Sequence, residues 1–234
     1  MSFFSNYQDL DALGVKHNTN KASSWKNAEG SIINMAGGML TKYEFFFYRF
    51  KEKYDLSILE LGAGPDFNIG ASIRVWKEYF PGATVHVADN KDSATALREE
   101  GFHVHVGDLG KLDFVQRLAG QRWDVVIDDA SHLWAHQILA FRKIFPSMVS
   151  GGIYVVEDLC TSYAHYRVDY SKGSDMRDAV NYFLAISRGV CFPQPIGNDE
   201  ELGRIYTLTA EDEHLIRKID LISWMGNSCV IIKK

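Results

Sequence analysis

Cysteine is scarce: Cys160, Cys191 and Cys229 are the only three, odd in number and widely spaced. Such a set makes neither a thiolate metal motif nor a disulfide framework, and it suits a reducing cytoplasm. No run rich in lysine and arginine occurs and the net charge is −5, which argues against a nucleic-acid partner. No apolar stretch approaches the length of a membrane span, so no membrane partner is expected. The opening MSFFSNYQDL has no basic segment followed by an apolar core and does not read as a secretory signal. Repeats and low-complexity tracts are also missing, and with them the usual marks of disorder.

What the 234 residues do contain is enough for one well-buried domain with an added cap, and a generous 13% of aromatic side chains. Four segments share a design in which a short β-branched run meets polar or glycine residues and then a helical pattern. They are LSILELGAG (56–64), ATVHVADN (83–90), WDVVIDDASH (123–132) and GGIYVVEDL (151–159), with a weaker fifth, FHVHVGD, at 102–108. Helical patterns at 70–80, 93–100, 112–120 and 133–145 alternate with them. That alternation predicts βαβ units and a mostly parallel sheet covered on both faces, an α/β fold. The chain closes on two short strands, Ile219–Trp224 and Cys229–Lys233, around a tight turn at Gly226-Asn227. Residues 1–53 are mostly helical by pattern and are expected to cap the sheet, leaving 54–234 as the main domain. The long segment 160–218 follows a strand's carboxyl end, where ligands bind, and is expected to act as a lid.

Glu60-Leu61-Gly62-Ala63-Gly64 follows the first strand, and Gly70 opens the next helix. Glycines there let backbone approach a ligand closely, although Phe67 stands where the third glycine of a G-x-G-x-x-G would be. Asp89 ends the second strand nineteen residues after Gly70, placed to accept both hydroxyls of a ribose. Asp108 ends the next and is placed to accept from an adenine amino group. Acids at three successive strand ends, Glu60, Asp89 and Asp108, would repel a pyrophosphate but not a sulfonium, which favours a nucleoside without phosphates.

Two further strands end in acidic pairs, Asp128-Asp129 and Glu157-Asp158. If these strands are neighbours their ends lie roughly 5 Å apart, so Asp129 faces Asp158 and Glu157. Carboxylates so close repel unless a cation sits among them. Oxygen donors with room for water suit Mg²⁺, with Mn²⁺ or Ca²⁺ as alternatives. His132, three residues past Asp129, is placed to take a proton from a hydroxyl at such an ion. Other readings stay open here: His132 and His136 as a two-histidine metal face, Asp128 turned to cofactor or to core, and Trp134, Tyr163, Tyr166 and Tyr170 as a flat pocket or as packing. His103 and His105 are expected on one face of their strand.

GASIRVWKEYFPGATVHVADNKDSA, DVVIDDASHLWAHQILAFRKIFPSMVSGGIYVVEDLCTSY and the closing ISWMGNSCVIIKK resemble the metal-dependent sugar O-methyltransferases of macrolide and glycosylated natural-product biosynthesis. The resemblance covers residues 55–165 well and the C-terminal hairpin moderately. It implies a Rossmann-like class I methyltransferase with a seven-stranded sheet ending in an antiparallel hairpin. It also implies that Asp129, Glu157 and Asp158 bind Mg²⁺ and that His132 is the general base beside Asp129. Glu60, Gly62, Gly64, Asp89 and Asp108 would surround S-adenosylmethionine, with Ser72 near its amino-acid end. The acceptor would be a small-molecule sugar or glycoside, and a homo-oligomer is compatible with the family. HNTNKASSW looks like a degraded form of the family's G-T-D-K segment, with Asn20 in place of the aspartate, and Leu109 stands where the family shows glutamine. Catechol-type and cephamycin-type methyltransferases, and a non-catalytic S-adenosylmethionine-binding protein, are the alternatives.

Overall fold

The computed structural model describes residues 7, 9–35, 38–172, 178–191 and 208–234. The chain divides into two compact units, Met1–Val106 and Gly107–Lys234. A mixed seven-stranded sheet supplies three strands to the first and four to the second. No helix among the described residues is long and apolar enough to cross a membrane.

In the first unit, β3 (Leu56–Leu61), β4 (Ala83–Asp89) and β5 (His103–Val106) run parallel in the order β5-β4-β3. The β3 strand is buried along nearly its whole length, as a parallel strand covered on both faces must be. Its register with β4 runs from Leu56 opposite Ala83 to Leu61 opposite Ala88, so both strands reach their carboxyl ends together. Helix α3 (Ala71–Tyr79) buries Ile73, Trp76 and Tyr79 at helical spacing. Trp76 meets Phe47 of α2 (Leu40–Phe47) edge to face, with ring centroids 5.9 Å apart. Buried Glu44 of α2 accepts from the Leu10 amide of α1 (Asp9–Lys16) at 3.0 Å and from the Tyr79 hydroxyl at 3.2 Å, tying three helices together.

Residues before β3 are not helical throughout. Between α1 and α2, β1 (Ser24–Lys26) and β2 (Ile32–Asn34) pair as a small antiparallel hairpin. Its turn is set by Asn27, whose side chain accepts from the Ser31 amide at 2.8 Å, and by Gly30 at φ 79°. That local turn chemistry outweighs the helical neighbours. The stretch after β4 is likewise a 3₁₀ segment, Asp92–Arg98.

The second unit carries α4 (Leu112–Ala119), β6 (Val125–Asp128), α5 (Trp134–Ile144), β7 (Ile153–Val156), α6 (Arg167–Tyr170), α7 (Ala179–Cys191), α8 (Ala210–Ile216), β8 (Ile219–Met225) and β9 (Ser228–Lys233). Its strand order is β6-β7-β9-β8. The β6–β7 pair is parallel, whereas β9 is antiparallel to both β7 and β8. The C-terminal hairpin expected from the sequence is therefore present. Phe141 lies at the centre of an aromatic core with Phe145, Tyr154 and Phe183. Buried Asp212 receives both guanidinium arms of Arg142, at 2.8 and 2.6 Å, and the Tyr182 hydroxyl at 2.7 Å, joining α5, α7 and α8. Of the 160–218 segment expected as a lid, residues 173–177 and 192–207 lie outside the described residues.

His103 and His105 do share a strand face, and His86 of β4 joins them. The His86 ring stacks on both, and its Nδ1 lies 3.0 Å from His105 Nε2. Burial, followed by the neighbouring charges of His103 and His105, pushes His86 down to about 4. A histidine depressed below its ordinary 6.5 favours the neutral form in the fold. Its contribution to stability is present above pH 6.5 and is lost as pH falls toward 4. Over that window the thermal midpoint of His86→Gln should fall less than that of the wild type. Parallel falls would show that another group titrates.

Candidate active site

At the end of β3 the chain turns through Gly62 and Gly64, at φ 97° and 86°. The Gly62 amide donates to Ala88 O at 2.7 Å, holding the turn against β4. Phe67 is exposed, and Gly70 takes the left-handed position instead, at φ 77°. A Cβ on Gly70 would fall 2.4 Å from Leu97 Cδ2, so both backbone and packing require glycine there. Asp89 is bound to this loop: Oδ2 accepts from the Ala63 amide at 2.7 Å and Oδ1 from the Lys91 amide at 2.8 Å. Each oxygen retains a second lone pair for a further donor.

Glu60 and Ser72 are brought together in the interior. Ser72 Oγ donates to Glu60 Oε1 at 2.7 Å, Trp76 Nε1 donates to Oε2, and Lys21 Nζ stands 3.7 Å from Oε1. Lys21 and Glu60 are only 2% and 1% exposed. The lysine's part in the buried network was not read from the sequence. The available signal was its place in HNTNKASSW, where it matches the lysine of the family's G-T-D-K segment. Asp108 is exposed and turns back to accept from the Gly110 amide at 2.8 Å.

In the second unit the β6–β7 register places Asp128 opposite Val156, so the residues just past each strand emerge side by side. His132 Nε2 lies 3.3 Å from Asp158 Oδ2 and 3.9 Å from Asp129 Oδ1. Ligand atoms of Asp129, His132 and Asp158 all fall within 4.8 Å of one another, and this is the one such donor cluster among the described residues. His132 and Asp158 hold left-handed backbone, φ 54° and 52°. That geometry costs a non-glycine residue about 1–2 kcal/mol and gathers at functional sites.

Neighbouring candidates stand outside this cluster. Glu157 is buried and tied through its backbone, its amide to Asp128 O at 2.9 Å and its carbonyl to Gln137 Nε2 at 2.8 Å, and it is not in the cluster. Asp128 faces the core beside the Tyr154 hydroxyl, 3.3 Å away. Burial, followed by the charge of Asp129, pushes Asp128 up to about 7 against the pull of that hydroxyl. His136 pairs its Nδ1 with Ser131 Oγ at 2.8 Å and is not among the clustered donors, so the two-histidine metal face does not form. Trp134 is fully buried beneath the Arg167 guanidinium, which is core packing and not a pocket wall. Tyr163 and Tyr166 are exposed, and the Tyr170 ring stands 6.3 Å from that of His132.

No protein-family model matches the chain. It is 34% identical over 161 residues to the 8-demethyl-8-(2-methoxy-α-L-rhamnosyl)-tetracenomycin-C 3′-O-methyltransferase of Streptomyces olivaceus, spanning 66% of this chain and 38% of that protein. It is also 34% identical over 122 residues to the mycinamicin VI 2″-O-methyltransferase of Micromonospora griseorubida, spanning 50% of this chain and 30% of that one. The match thus spans about a third of the length of these curated relatives. Among solved structures, the methyltransferase MycE of the mycinamycin pathway, in complex with Mg, SAH and mycinamycin VI, superposes with a TM-score of 0.74. That alignment has 21% identity and covers 96% of this chain and 54% of MycE. The fold is that of the class I methyltransferases.

Left-handed backbone at residue 132 has a direct test. Glycine tolerates φ 54° and alanine does not, so His132→Gly should be more stable than His132→Ala by about 1 kcal/mol. Urea denaturation of the two metal-free variants measures this, whereas at an ordinary helical position the alanine variant would be the more stable.

Proposed function

We propose that this chain carries the catalytic core of an S-adenosylmethionine- and Mg²⁺-dependent O-methyltransferase. The acceptor in this reading is a sugar hydroxyl of a glycoside or nucleotide-sugar in natural-product biosynthesis. The observation that carries it is the cluster of Asp129, His132 and Asp158 just beyond two parallel strands. Two carboxylates with solvent access fit a hard divalent cation that keeps part of its water shell. The similarity to rhamnosyl and mycinamicin O-methyltransferases supports the acceptor class.

In this reading Asp129 and Asp158 hold the ion, and Glu157, next in the chain, is the third carboxylate proposed for it. A bound Mg²⁺ would lower the pKa of a nearby hydroxyl and orient it. His132, whose Nε2 faces both acids, removes the hydroxyl proton, and the two carboxylates stabilise the imidazolium that results. Gly62 and Gly64 keep the loop free of side chains where a nucleoside would lie, and Asp89 offers its spare lone pairs to the ribose. Asp108 would accept from the adenine amino group. Glu60 and Ser72 would act at the amino-acid end of the donor, with Lys21 balancing the buried charge. The sparse cysteines support a cytoplasmic setting.

Asp129→Ala and Asp158→Ala should abolish EDTA-sensitive methylation of a rhamnosyl acceptor while leaving S-adenosylhomocysteine binding intact. His132→Ala should lower turnover by about 10²- to 10⁴-fold. Full EDTA-sensitive activity in either aspartate variant would remove the ion from those residues, and a two-fold effect at His132 would remove the base. A catechol assayed beside the glycoside tests the acceptor class.

A further inference from the structure

We infer that Asn227, in the turn of the C-terminal hairpin, is a positioning residue that makes Asp158 a one-oxygen ligand and thereby selects Mg²⁺ over Ca²⁺. The inference rests on the proposed ion site and adds a residue to it from the far end of the chain.

Asn227 holds the Asp158–Cys160 segment by three hydrogen bonds. Its Nδ2 donates to Asp158 Oδ1 at 2.6 Å, its Oδ1 accepts from the Cys160 amide at 2.6 Å, and its carbonyl accepts from the Leu159 amide at 3.0 Å. The orientation of the side-chain amide is fixed by chemistry. A backbone N–H can only donate, so the oxygen must face Cys160 and the nitrogen must face the carboxylate. Nor does the turn itself require asparagine. Gly226 takes the left-handed position, at φ 55°, whereas Asn227 is not among the residues with positive φ. The usual backbone reason for asparagine in a hairpin turn is therefore missing, and the side chain accounts for it.

The consequence falls on the two oxygens of Asp158. The Asn227 amide on Oδ1 fixes the rotation of the carboxylate, and in that rotation Oδ2 is the oxygen that points to His132 Nε2 at 3.3 Å. Binding through both oxygens would require the carboxylate to rotate out of the orientation that this hydrogen bond sets. Mg²⁺ demands near-octahedral geometry at about 2.0–2.1 Å and suits single-oxygen carboxylates, whereas Ca²⁺ accepts two-oxygen binding at about 2.3–2.6 Å. An amide that holds the carboxylate in its one-oxygen orientation disfavours the larger ion.

The test reads ion binding on the metal-free full chain, without turnover. Mn²⁺ is bound first and followed by its EPR signal, then displaced with MgCl₂ or CaCl₂. Asn227→Ala and the turn-compatible Asn227→Ser should bind Mg²⁺ about 10- to 100-fold more weakly, with a smaller loss for Ca²⁺, so that the preference for Mg²⁺ shrinks in both. Metal-free thermal melting reports whether each variant folds. The inference fails if folded variants keep the wild-type affinities, or if both ions weaken by the same factor. Should the wild type bind no Mn²⁺, the ion site itself fails and this inference with it.

Discussion

Parallel pairing of β6 and β7 is the constraint on which the second unit's chemistry depends. Parallel strands in register end together, and whatever follows them is delivered to one place. Here the delivered residues are acids, backed by an aromatic core and by the Arg142–Asp212 pair that joins α5, α7 and α8. Two carboxylates held this near repel each other unless a positive charge stands between them. An imidazole within 3.3 Å of one and 3.9 Å of the other supplies part of that charge when protonated, and a divalent ion would supply more.

The glycine turn in the first unit obeys a different logic. It is closed by Asp89, so a residue read as a ribose acceptor also fixes the loop. Glu60 goes further, since its carboxylate is enclosed by Ser72, Trp76 and Lys21. An ionised group can be buried only when hydrogen-bonded and paired, and these three neighbours meet that requirement.

Strand positions and strand ends were legible because period and punctuation are local properties. The β-branched runs, the glycines after β3 and the Gly226-Asn227 turn each read correctly from a handful of neighbours. Proximity of Asp129, His132 and Asp158 followed from strand pairing and one short offset. The side-chain direction of Asp128 was not legible, because burial is settled by packing on the two faces of the sheet. Lys21 and Asn227 were missed as partners for the same reason. Each reaches its carboxylate across tens of residues of chain, a relation that no spacing rule contains. The hairpin at 24–34 was hidden by the helical patterns around it.

Left-handed backbone at His132 and Asp158 also limits how these loops drift over evolutionary time. Aspartate, asparagine and histidine are the non-glycine side chains most often tolerated in that conformation. Glutamate at 158 would keep the charge and give up the tolerance, whereas asparagine would do the reverse.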